Sequence, residues 1–337
     1  MVRIGIVGAG IRGSLFARAL TQHADVEVAA ICDRNGALAR SVAGQHGIAA
    51  FESHTEMYAH GLDAVVVATP DFTHREPVVD AAAAGLHIMV EKPLATTGED
   101  ARAMVKAVGV AGVRAMVGFE NRWNPRFIAA KELITTGQLG DIVGQIMHLN
   151  DTRFVPTEML SWSAKSSPVW FLMPHTLDLV RWLSGKTVRS VYAQGVKKVL
   201  TAEGIDTWDS VDVGLTCTDG TTATLHSSWI LPVSNPAVYD LRCEFVGTRS
   251  ALRIEGADQG LSLLADRLTW PQWGVQERGG RIAGFPVDMA HDFADYVLGR
   301  IDDVPTMADG LIVTTTLAAV DESLRTGQPV PLNALEV

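Results

Sequence analysis

The stretch that decides the fold of the first half of the chain is Arg3-Ile-Gly-Ile-Val-Gly-Ala-Gly-Ile-Arg-Gly-Ser-Leu-Phe-Ala-Arg-Ala-Leu20. Its apolar residues at positions 4, 6 and 7 predict a short buried strand, and the apolar residues after Gly13 recur at helical spacing. Between these two segments, Gly8, Gly10 and Gly13 form the pattern GxGxxG. The sequence therefore predicts a strand, a tight glycine turn and a helix.

Each glycine of this turn has a physical reason. Gly8 permits backbone angles that are closed to other residues, Gly10 lets a pyrophosphate approach the main chain, and Gly13 allows a helix to pack closely on a strand. The helix N-terminus offers N–H groups and the positive end of a dipole to phosphates. Because Asp33 follows at the end of a second apolar strand, the stretch predicts dinucleotide binding rather than a glycine turn that only packs.

Asp33 and Arg34 bear on which dinucleotide binds. A carboxylate at position 33 accepts hydrogen bonds from the adenosine ribose hydroxyls and repels a 2′-phosphate, which favours NAD over NADP. The guanidinium of Arg34 either stacks on adenine or grips a 2′-phosphate. We favour NAD because the acidic residue completes the motif.

Composition and charge narrow the class of protein. With 337 residues, 47% of them hydrophobic, the chain has enough length and apolar surface for two domains. Its formal net charge of −10 argues against nucleic acid or anionic membranes as partners. Cys32, Cys217 and Cys243 lack metal-ligand spacing, and we expect them to be small buried residues in a reducing cytoplasm. The first predicted strand begins at residue 3 and no apolar run has transmembrane length, so we expect neither a leader nor a membrane anchor.

Strand and helix patterns alternate as far as residue 120 and change beyond it. The alternation predicts an α/β domain over residues 1–120, a doubly wound parallel sheet whose ligand crosses the carboxyl ends of its strands. The residues that follow or end predicted strands, and are therefore expected to face one crevice, are Thr69, Pro70, Glu91, Lys92 and Phe119 to Arg122. All eight tryptophans and a series of successive strands come later, so residues 121–337 are predicted to form a second domain.

This second domain is predicted to be α+β, with an open-faced, mainly antiparallel sheet. Alternating apolar residues on either side of Asp219-Gly220 predict a hairpin, and about six strands are recognisable. One face of the sheet is expected to bury helices. The other face is expected to be an oligomer surface, since alternate positions such as Trp229 would otherwise expose apolar groups.

Two motifs carry residues suited to acid–base chemistry. The first motif is Glu91-Lys92-Pro93, at the end of a predicted buried strand. If Lys92 points into the crevice, its charge polarises a hydroxyl or carbonyl near a nicotinamide. The alternative role of Lys92 is a surface salt bridge. His175 and Asp178 share one face at the start of a buried helix, whose dipole disfavours an imidazolium and leaves a potential base. The alternative is a buried histidine that is satisfied by hydrogen bonds.

Further residues are candidates for substrate contacts. Trp162 and Trp170 precede His175, and their faces either stack on sugar C–H surfaces or pack in the core. Basic residues that either bind a carboxylate or remain solvated surface charges are Arg122, Arg126, Arg153 and Lys165.

The chain resembles the glucose–fructose oxidoreductase/inositol dehydrogenase/MocA family through nearly its whole length. The motifs that carry the resemblance are GAGIRG with Asp33, ATPDFTH at 68–74, VEKPLA at 90–95, NRWNPRF at 121–127 and HTLDLVRWLSG at 175–185. The resemblance implies a Rossmann domain followed by an open-faced sheet domain, assembled as a homodimer or homotetramer, that oxidises or reduces sugars, inositols and related polyols with NAD(P). It also implies that Lys92 is the catalytic lysine, that Glu91 contacts the nicotinamide ribose and that His175 is the catalytic histidine.

The motifs and the resemblance together give a set of site residues, with no metal expected. The residues predicted to bind the cofactor are Gly8, Gly10, Ile11, Arg12, Gly13, Asp33, Arg34, Thr69, Pro70, His74, Glu91 and Lys92. For His74, capping or packing is the alternative. The residues predicted to bind substrate are Arg122, Trp123, Asp151, Arg153, Trp162, Phe171 and Asp178.

Phe171 departs from the family pattern, because family members commonly carry an aspartate four residues before the catalytic histidine. An aromatic ring cannot shuttle a proton as a carboxylate does. Three explanations are open: Lys92 and His175 suffice, another carboxylate such as Asp151 or Asp178 substitutes, or the reaction differs from simple alcohol oxidation.

Three functions are compatible with these patterns. The first is an NAD(P)-dependent dehydrogenase or reductase that transfers hydride between nicotinamide and a hydroxyl or carbonyl carbon of a sugar, sugar acid or cyclitol. The second is a redox-neutral epimerase, lyase or glycosidase with resident NAD, which Phe171 motivates. The third is a non-catalytic, nucleotide-dependent regulator, against which the intact Glu91-Lys92-Pro93 and His175 argue. We favour the first.

Overall fold

The computed structural model describes residues 1–272 and 274–332. Within these ranges the strands are β1 (Val2–Val7), β2 (Val26–Cys32), β3 (Ala49–Phe51), β4 (Ala64–Val67), β5 (His87–Glu91), β6 (Ala115–Gly118), β7 (Ile142–Thr152), β8 (Val188–Val196), β9 (Ser210–Cys217), β10 (Thr222–Leu231), β11 (Tyr239–Gly247), β12 (Ala251–Glu255), β13 (Leu263–Leu264), β14 (Leu268–Thr269), β15 (Gln276–Arg278), β16 (Arg281–Ala283) and β17 (Val330–Pro331). The helices are α1 (Ile11–Leu20), α2 (Gly36–His46), α3 (His54–Tyr58), α4 (Arg75–Ala83), α5 (Gly98–Ala111), α6 (Pro125–Thr135), α7 (Pro168–Phe171), α8 (Met173–Ser184), α9 (Val199–Ala202), α10 (Phe285–Val297) and α11 (Met307–Thr326). Short 3-10 turns lie at Asp71–Thr73, Glu120–Trp123 and Ser163–Lys165, and a π-type turn lies at Val155–Met159.

The chain forms two compact units. The first contains residues 1–123 and 274–314, and the second contains the described residues of 124–273 and 315–337. The sequence change near residue 120 lies close to the first crossing between units, but the predicted range 121–337 also includes residues 274–314, which the structure groups with the first unit. This return has no local sequence signal, because it depends on contacts between residues far apart in the chain.

Specific hydrogen bonds attach the returning segment to the first unit. The Gln22 side chain donates to the Ile282 carbonyl oxygen at 2.9 Å and accepts from the Ile282 N–H at 2.7 Å. The N–H of Val117, on β6, donates to the carbonyl oxygen of Pro305 at 3.0 Å. Phe293, on α10, is fully buried in the same core as α1.

The first unit contains a six-stranded parallel sheet in the order β3-β2-β1-β4-β5-β6. Strands β1 and β4 consist largely of apolar residues that are fully or nearly fully buried, as expected for a parallel sheet covered on both faces. The chain order reverses between β1 and β4. In open α/β sheets, ligands bind outside the carboxyl ends of the strands at such a reversal, so the glycine turn after β1 lies at the expected place.

The second unit contains a seven-stranded sheet in the order β12-β11-β7-β10-β9-β8-β17. Strands β7 and β10 are parallel, and the other neighbouring pairs are antiparallel. Alternate side chains of β9 and β10 are buried on the face that carries α7 and α8. The sheet is therefore mixed, with the predicted antiparallel character in most of its pairs.

The sequence suggested that Trp229 lies on the open face of this sheet. The structure shows that this prediction was wrong. The Trp229 side chain is fully buried, and its ring contacts Phe171 of α7. The alternation that places Leu225 and Ser227 in the core continues to Trp229. On the opposite face, Ile146 and Tyr192 are 42% and 39% exposed.

Candidate functional site

The glycine turn joins β1 to α1 and leaves no room for side chains at two of its positions. Gly8 has a φ of +99°, and a Cβ there would overlap the main-chain oxygen of Ala68, at the end of β4. A Cβ on Gly13 would overlap the main-chain oxygen of Gly8. These two glycines therefore hold α1 and β4 close to the turn, as the pattern predicted.

Gly10 has a different environment, since no atom lies within 4 Å of a Cβ placed on it. Next to it, Ile11 opens α1 with 70% of its surface exposed. The Thr69 Oγ1 atom is buried without a hydrogen-bond partner among the described residues. Open space at a helix N-terminus, an exposed apolar residue and an unsatisfied hydroxyl fit the pyrophosphate and ribose of a dinucleotide.

Asp33 connects the end of β2 to the glycine turn. Its carboxylate accepts a hydrogen bond from the N–H of Ala9 at 2.8 Å and another from the N–H of Asn35 at 2.8 Å. Because a carboxylate has about four acceptor sites, capacity remains for ribose hydroxyls. The side chain of Arg34 is 85% exposed and lies 3.8 Å from Glu76, so a carboxylate faces its guanidinium.

His74 bridges two loops rather than presenting a ring nitrogen to an open site. Its Nδ1 lies 2.8 Å from the carbonyl oxygen of Pro93, and its Nε2 lies 3.0 Å from the carbonyl oxygen of Thr69. The residue is only 1% exposed. Since Pro93 follows Lys92 directly, His74 fixes the loop that carries the lysine, and the packing alternative describes its contacts.

The segment that carries Glu91 and Lys92 begins where β5 ends. Glu91 is 6% exposed. One of its carboxylate oxygens accepts a hydrogen bond from Arg12 Nε at 2.7 Å, and the other accepts from the main-chain N–H of Lys92 at 3.1 Å. The Lys92–Pro93 peptide bond is cis.

Lys92 is half-buried, and its charge state is set by burial and four neighbouring groups. Burial lowers the pKa of its ammonium below the usual value of a lysine, Glu91, Glu120 and Asp71 oppose this shift, and Arg12 reinforces it. A lysine with a lowered pKa is present as the free amine in a larger fraction near neutral pH. Such an amine can act as a base.

Arg122 and Trp123, both predicted to bind substrate, have polar partners inside the first unit. Trp123 Nε1 donates to Asp292 at 2.7 Å. Arg122 lies 3.4 Å from Asp309, and its guanidinium carbon lies 5.8 Å from the centroid of the Phe119 ring. These contacts support a structural role for both side chains.

In the second unit, His175 lies in the first turn of α8. Pro174 precedes it in the first turn, where a missing N–H has little cost. His175 is half-buried, and Asp178, one helical turn further on, is 1% exposed. Asp151, near the end of β7, is 5% exposed. Arg153 pairs with Glu203, so its charge is compensated within the unit.

Phe171 belongs to an aromatic cluster that we define as Trp162, Phe171 and Trp229. The ring centroids of Phe171 and Trp162 lie 6.0 Å apart at an interplanar angle of 63°, and those of Phe171 and Trp229 lie 5.7 Å apart at 58°. Phe171 and Trp162 are half-buried, whereas Trp229 is fully buried. The Trp229 Nε1 atom has no hydrogen-bond partner among the described residues. The cluster therefore offers an apolar, partly accessible edge.

The structure brings the predicted cofactor residues of the first unit together around the ends of β1, β2, β4 and β5. Glu120, which lies after β6 in the range 119–122 expected to face the crevice, pairs with Arg12 at 2.6 Å. The contact between Phe171 and Trp229 was not predicted from the sequence, because it depends on tertiary packing.

The described residues were compared with the requirements of a metal site and of a membrane-spanning helix, and they meet neither. Across 1–272 and 274–332, no group of three or more His, Cys, Asp or Glu side chains is arranged to hold a metal ion. In the same ranges, no helix has the length and apolar character needed to cross a membrane.

This fold and the glycine turn define a two-domain nucleotide-dependent enzyme, and comparison with known proteins specifies its family. Residues 2–119 match the model of the oxidoreductase family with an NAD-binding Rossmann fold, and residues 127–253 match the GFO/IDH/MocA C-terminal domain. The chain belongs to the Gfo/Idh/MocA oxidoreductase family. It is an NAD-dependent oxidoreductase, and the predictions of the family, the two-part fold, the enzyme class and NAD are confirmed.

Individual relatives agree with this assignment. The chain is 31% identical over 256 residues to an inositol 2-dehydrogenase of Rhizobium meliloti, a match that covers 75% of this chain and 76% of the relative. Its fold matches scyllo-inositol dehydrogenase from Lactobacillus casei, crystallised with NAD(H) and scyllo-inositol, with a TM-score of 0.86 at 22% identity over 98% and 99% of the two chains. It also matches GenD2 from gentamicin A biosynthesis, crystallised with NAD, with a TM-score of 0.87 at 24% identity over 99% and 97%.

Proposed function

We propose that this oxidoreductase interconverts a ring CH–OH group and a carbonyl of a cyclitol or related polyol. The inositol 2-dehydrogenase of Rhizobium meliloti supports the substrate class. The observation that carries the chemistry is Lys92, a half-buried lysine with a lowered pKa at the end of β5. An amine of this kind takes the hydroxyl proton in the oxidation direction and returns it in reduction.

The residues proposed to hold the cofactor are those of the glycine turn together with Asp33 and Thr69. The open space at Gly10 and the unsatisfied Thr69 hydroxyl support this proposal. NAD, when bound, supplies the hydride acceptor. The protein orients the substrate, excludes water and moves the proton, and we assign the proton to Lys92.

Within the second unit, the proposed substrate contacts are His175, Asp151, Asp178 and the half-buried rings of Trp162 and Phe171. Aromatic faces suit the C–H surface of a ring polyol. The ion pairs of Arg122 and Arg153 with carboxylates of their own units argue against these two side chains as the cations of a carboxylate-binding pocket.

A substrate panel with matched variants tests this function. Inositols, sugars and sugar acids are screened with NAD and NADP in parallel for absorbance of the reduced cofactor. Lys92→Ala should lower kcat by a factor of about 100 or more, with the Kd for NAD little changed. Lys197→Ala is the matched control, since Lys197 pairs with the exposed Asp206. Wild-type turnover by Lys92→Ala, or no turnover of any polyol by the wild type, contradicts the proposal.

The proposed assembly is a homodimer or homotetramer that uses the open face of the second sheet. Ile146, Tyr192 and Val246 present partly exposed apolar surface there, which a second copy would cover. Light scattering should give the mass of an oligomer for the wild type, and Ile146→Asp with Tyr192→Glu should shift it toward the monomer.

The proposed location is the cytoplasm. Cys32, Cys217 and Cys243 are free and buried, and burial raises the pKa of Cys32 to about 11 and that of Cys243 to about 12. Unpaired thiols are typical of a reducing compartment. Cell fractionation with compartment markers tests this.

A further inference from the structure

Arg12 connects the glycine turn to the last residue of β5 and to the segment that follows β6. Its Nε lies 2.7 Å from Glu91, and its Nη2 lies 2.6 Å from Glu120. Its guanidinium carbon lies 4.8 Å from the centroid of the Phe16 ring, on the same helix. Arg12 was predicted to bind the cofactor, but in this structure both of its charged contacts are to carboxylates of the protein.

The two carboxylates that Arg12 engages are also the ones that act on Lys92. The groups that face the Lys92 ammonium are Glu91 on β5, Glu120 after β6, Asp71 after β4 and Arg12 on α1. Three of these four charges favour the ammonium form. The guanidinium of Arg12, between Glu91 and Glu120, compensates their negative charge. Without it, that charge would stabilise the Lys92 ammonium more strongly.

The contacts of Arg12 are well suited to a permanent countercharge. The side chain is 30% exposed, and the side chains of Glu91 and Glu120 are 7% and 17% exposed. The pKa of the Arg12 guanidinium is raised by the two carboxylates despite the opposing effect of burial. Arg12 therefore stays charged at every pH at which the enzyme works, and only Lys92 titrates.

We propose that Arg12 is a positioning residue for Lys92: by pairing with Glu91 and Glu120, it limits how strongly these carboxylates stabilise the ammonium, and so keeps the amine able to accept a proton. This inference rests on the proposed role of Lys92. It assigns to the third variable position of GxGxxG, which Arg12 occupies, a task other than phosphate binding. The lowered pKa of Lys92, to which Arg12 contributes, agrees with it.

The test measures the protonation of Lys92 directly, without turnover. NAD-free protein is labelled with trace acetic anhydride across a pH series, and acetylation of the Lys92 peptide is quantified by mass spectrometry. Arg12→Gln should move the midpoint of Lys92 labelling upward by about one pH unit. Adding Glu120→Gln should bring the midpoint back down, and Arg12→Lys should retain most of the wild-type value. Arg18→Gln is the control on the same helix, since Arg18 pairs with the exposed Glu277.

A variant that leaves Arg12 unchanged tests whether Glu120 favours the ammonium form of Lys92. Glu120→Gln removes a group that favours the ammonium, so the midpoint should fall. This keeps the inference testable if Arg12→Gln does not fold, which circular dichroism and urea unfolding establish.

The kinetic readout is the acidic limb of kcat/KM in the oxidation direction. Because the free amine is the active form, the limb should move upward with the labelling midpoint in Arg12→Gln. An unmoved midpoint in folded Arg12→Gln overturns the inference. So does a weakened Kd for NAD with no change in midpoint, since Arg12 would then serve the cofactor. A moved midpoint with an unmoved limb supports the electrostatic effect of Arg12 and instead refutes Lys92 as the proton acceptor.

Discussion

Substitution of Gly10 by alanine separates binding from folding in the glycine turn. The backbone of Gly10 has φ −69° and ψ −164°, which alanine adopts without strain. A Cβ there meets no protein atom within 4 Å. Alanine caps a helix less well than glycine, at a cost of about 0.5–1 kcal/mol, but restricts the unfolded chain by about 0.4–1 kcal/mol. The free energy of unfolding should therefore stay within about 1 kcal/mol of wild type.

The same methyl group should weaken NAD binding. It would occupy the space through which a pyrophosphate approaches the main chain, and we expect the Kd for NAD to rise at least about tenfold, or about 1.4 kcal/mol. Isothermal titration calorimetry measures the Kd, and urea unfolding without NAD measures stability. A wild-type Kd in folded Gly10→Ala would refute the placement of the dinucleotide at this turn.

Two other glycines are matched controls for this experiment. Gly13→Ala places a methyl group against the main-chain oxygen of Gly8, so it should lower stability by about 1–3 kcal/mol. Gly44→Ala, inside α2 with open space around it, should raise stability by about 0.5–1 kcal/mol and leave the Kd unchanged. Equal stability changes for Gly13→Ala and Gly44→Ala would contradict the packing argument.

Three further substitutions test the aromatic cluster, a buried hydrogen bond and the loop of Lys92. Phe171→Leu should raise KM for the polyol about tenfold with little change in the Kd for NAD, because it removes a ring face but no charge; steady-state kinetics decide, and an unchanged KM contradicts substrate stacking. Trp170→Phe removes a hydrogen bond of 2.7 Å to Asp321. Burial raises the pKa of Asp321, and this hydrogen bond opposes the shift. The variant should therefore lose about 1.5–3 kcal/mol of unfolding free energy at pH 7, and less in acid, where the carboxylate is protonated. Urea unfolding measures both values, and an equal loss at pH 7 and in acid contradicts the charge-assisted hydrogen bond. His74→Phe removes the contacts that hold the Lys92–Pro93 loop, so kcat should fall at least about tenfold. Pre-steady-state kinetics and the Kd for NAD are the measurements, and a wild-type kcat contradicts the role of His74 in fixing this loop.

The first sheet was predictable because its signals are local. The strand predicted at His87–Glu91 has the bounds of β5, and the strand order follows the rule for doubly wound sheets. The glycines of the turn were assigned from spacing alone, and the overlaps found at Gly8 and Gly13 are the packing that the pattern encodes. Each of these inferences depends on residues close together in the chain.

The contacts that were not predicted join distant residues. Arg12 lies 79 residues before Glu91, and no periodicity or spacing indicates that their side chains meet. Gln22 and Ile282 are separated by 260 residues, which is why the return of the chain to the first unit was missed. For Trp229, the alternation of β10 was correct, but the face that the helices cover was assigned wrongly.

Phe171 changes in meaning once its neighbours are known. Phe171 fills its position with two aromatic contacts in the favourable range of distances, one edge-to-face with Trp162 and one tilted with Trp229. The side chain is therefore part of a built apolar surface, which favours the explanation in which Lys92 and His175 suffice. The lowered pKa of Lys92 supports the same explanation, because an amine that already releases its proton readily has less need of a neighbouring carboxylate to act as a base.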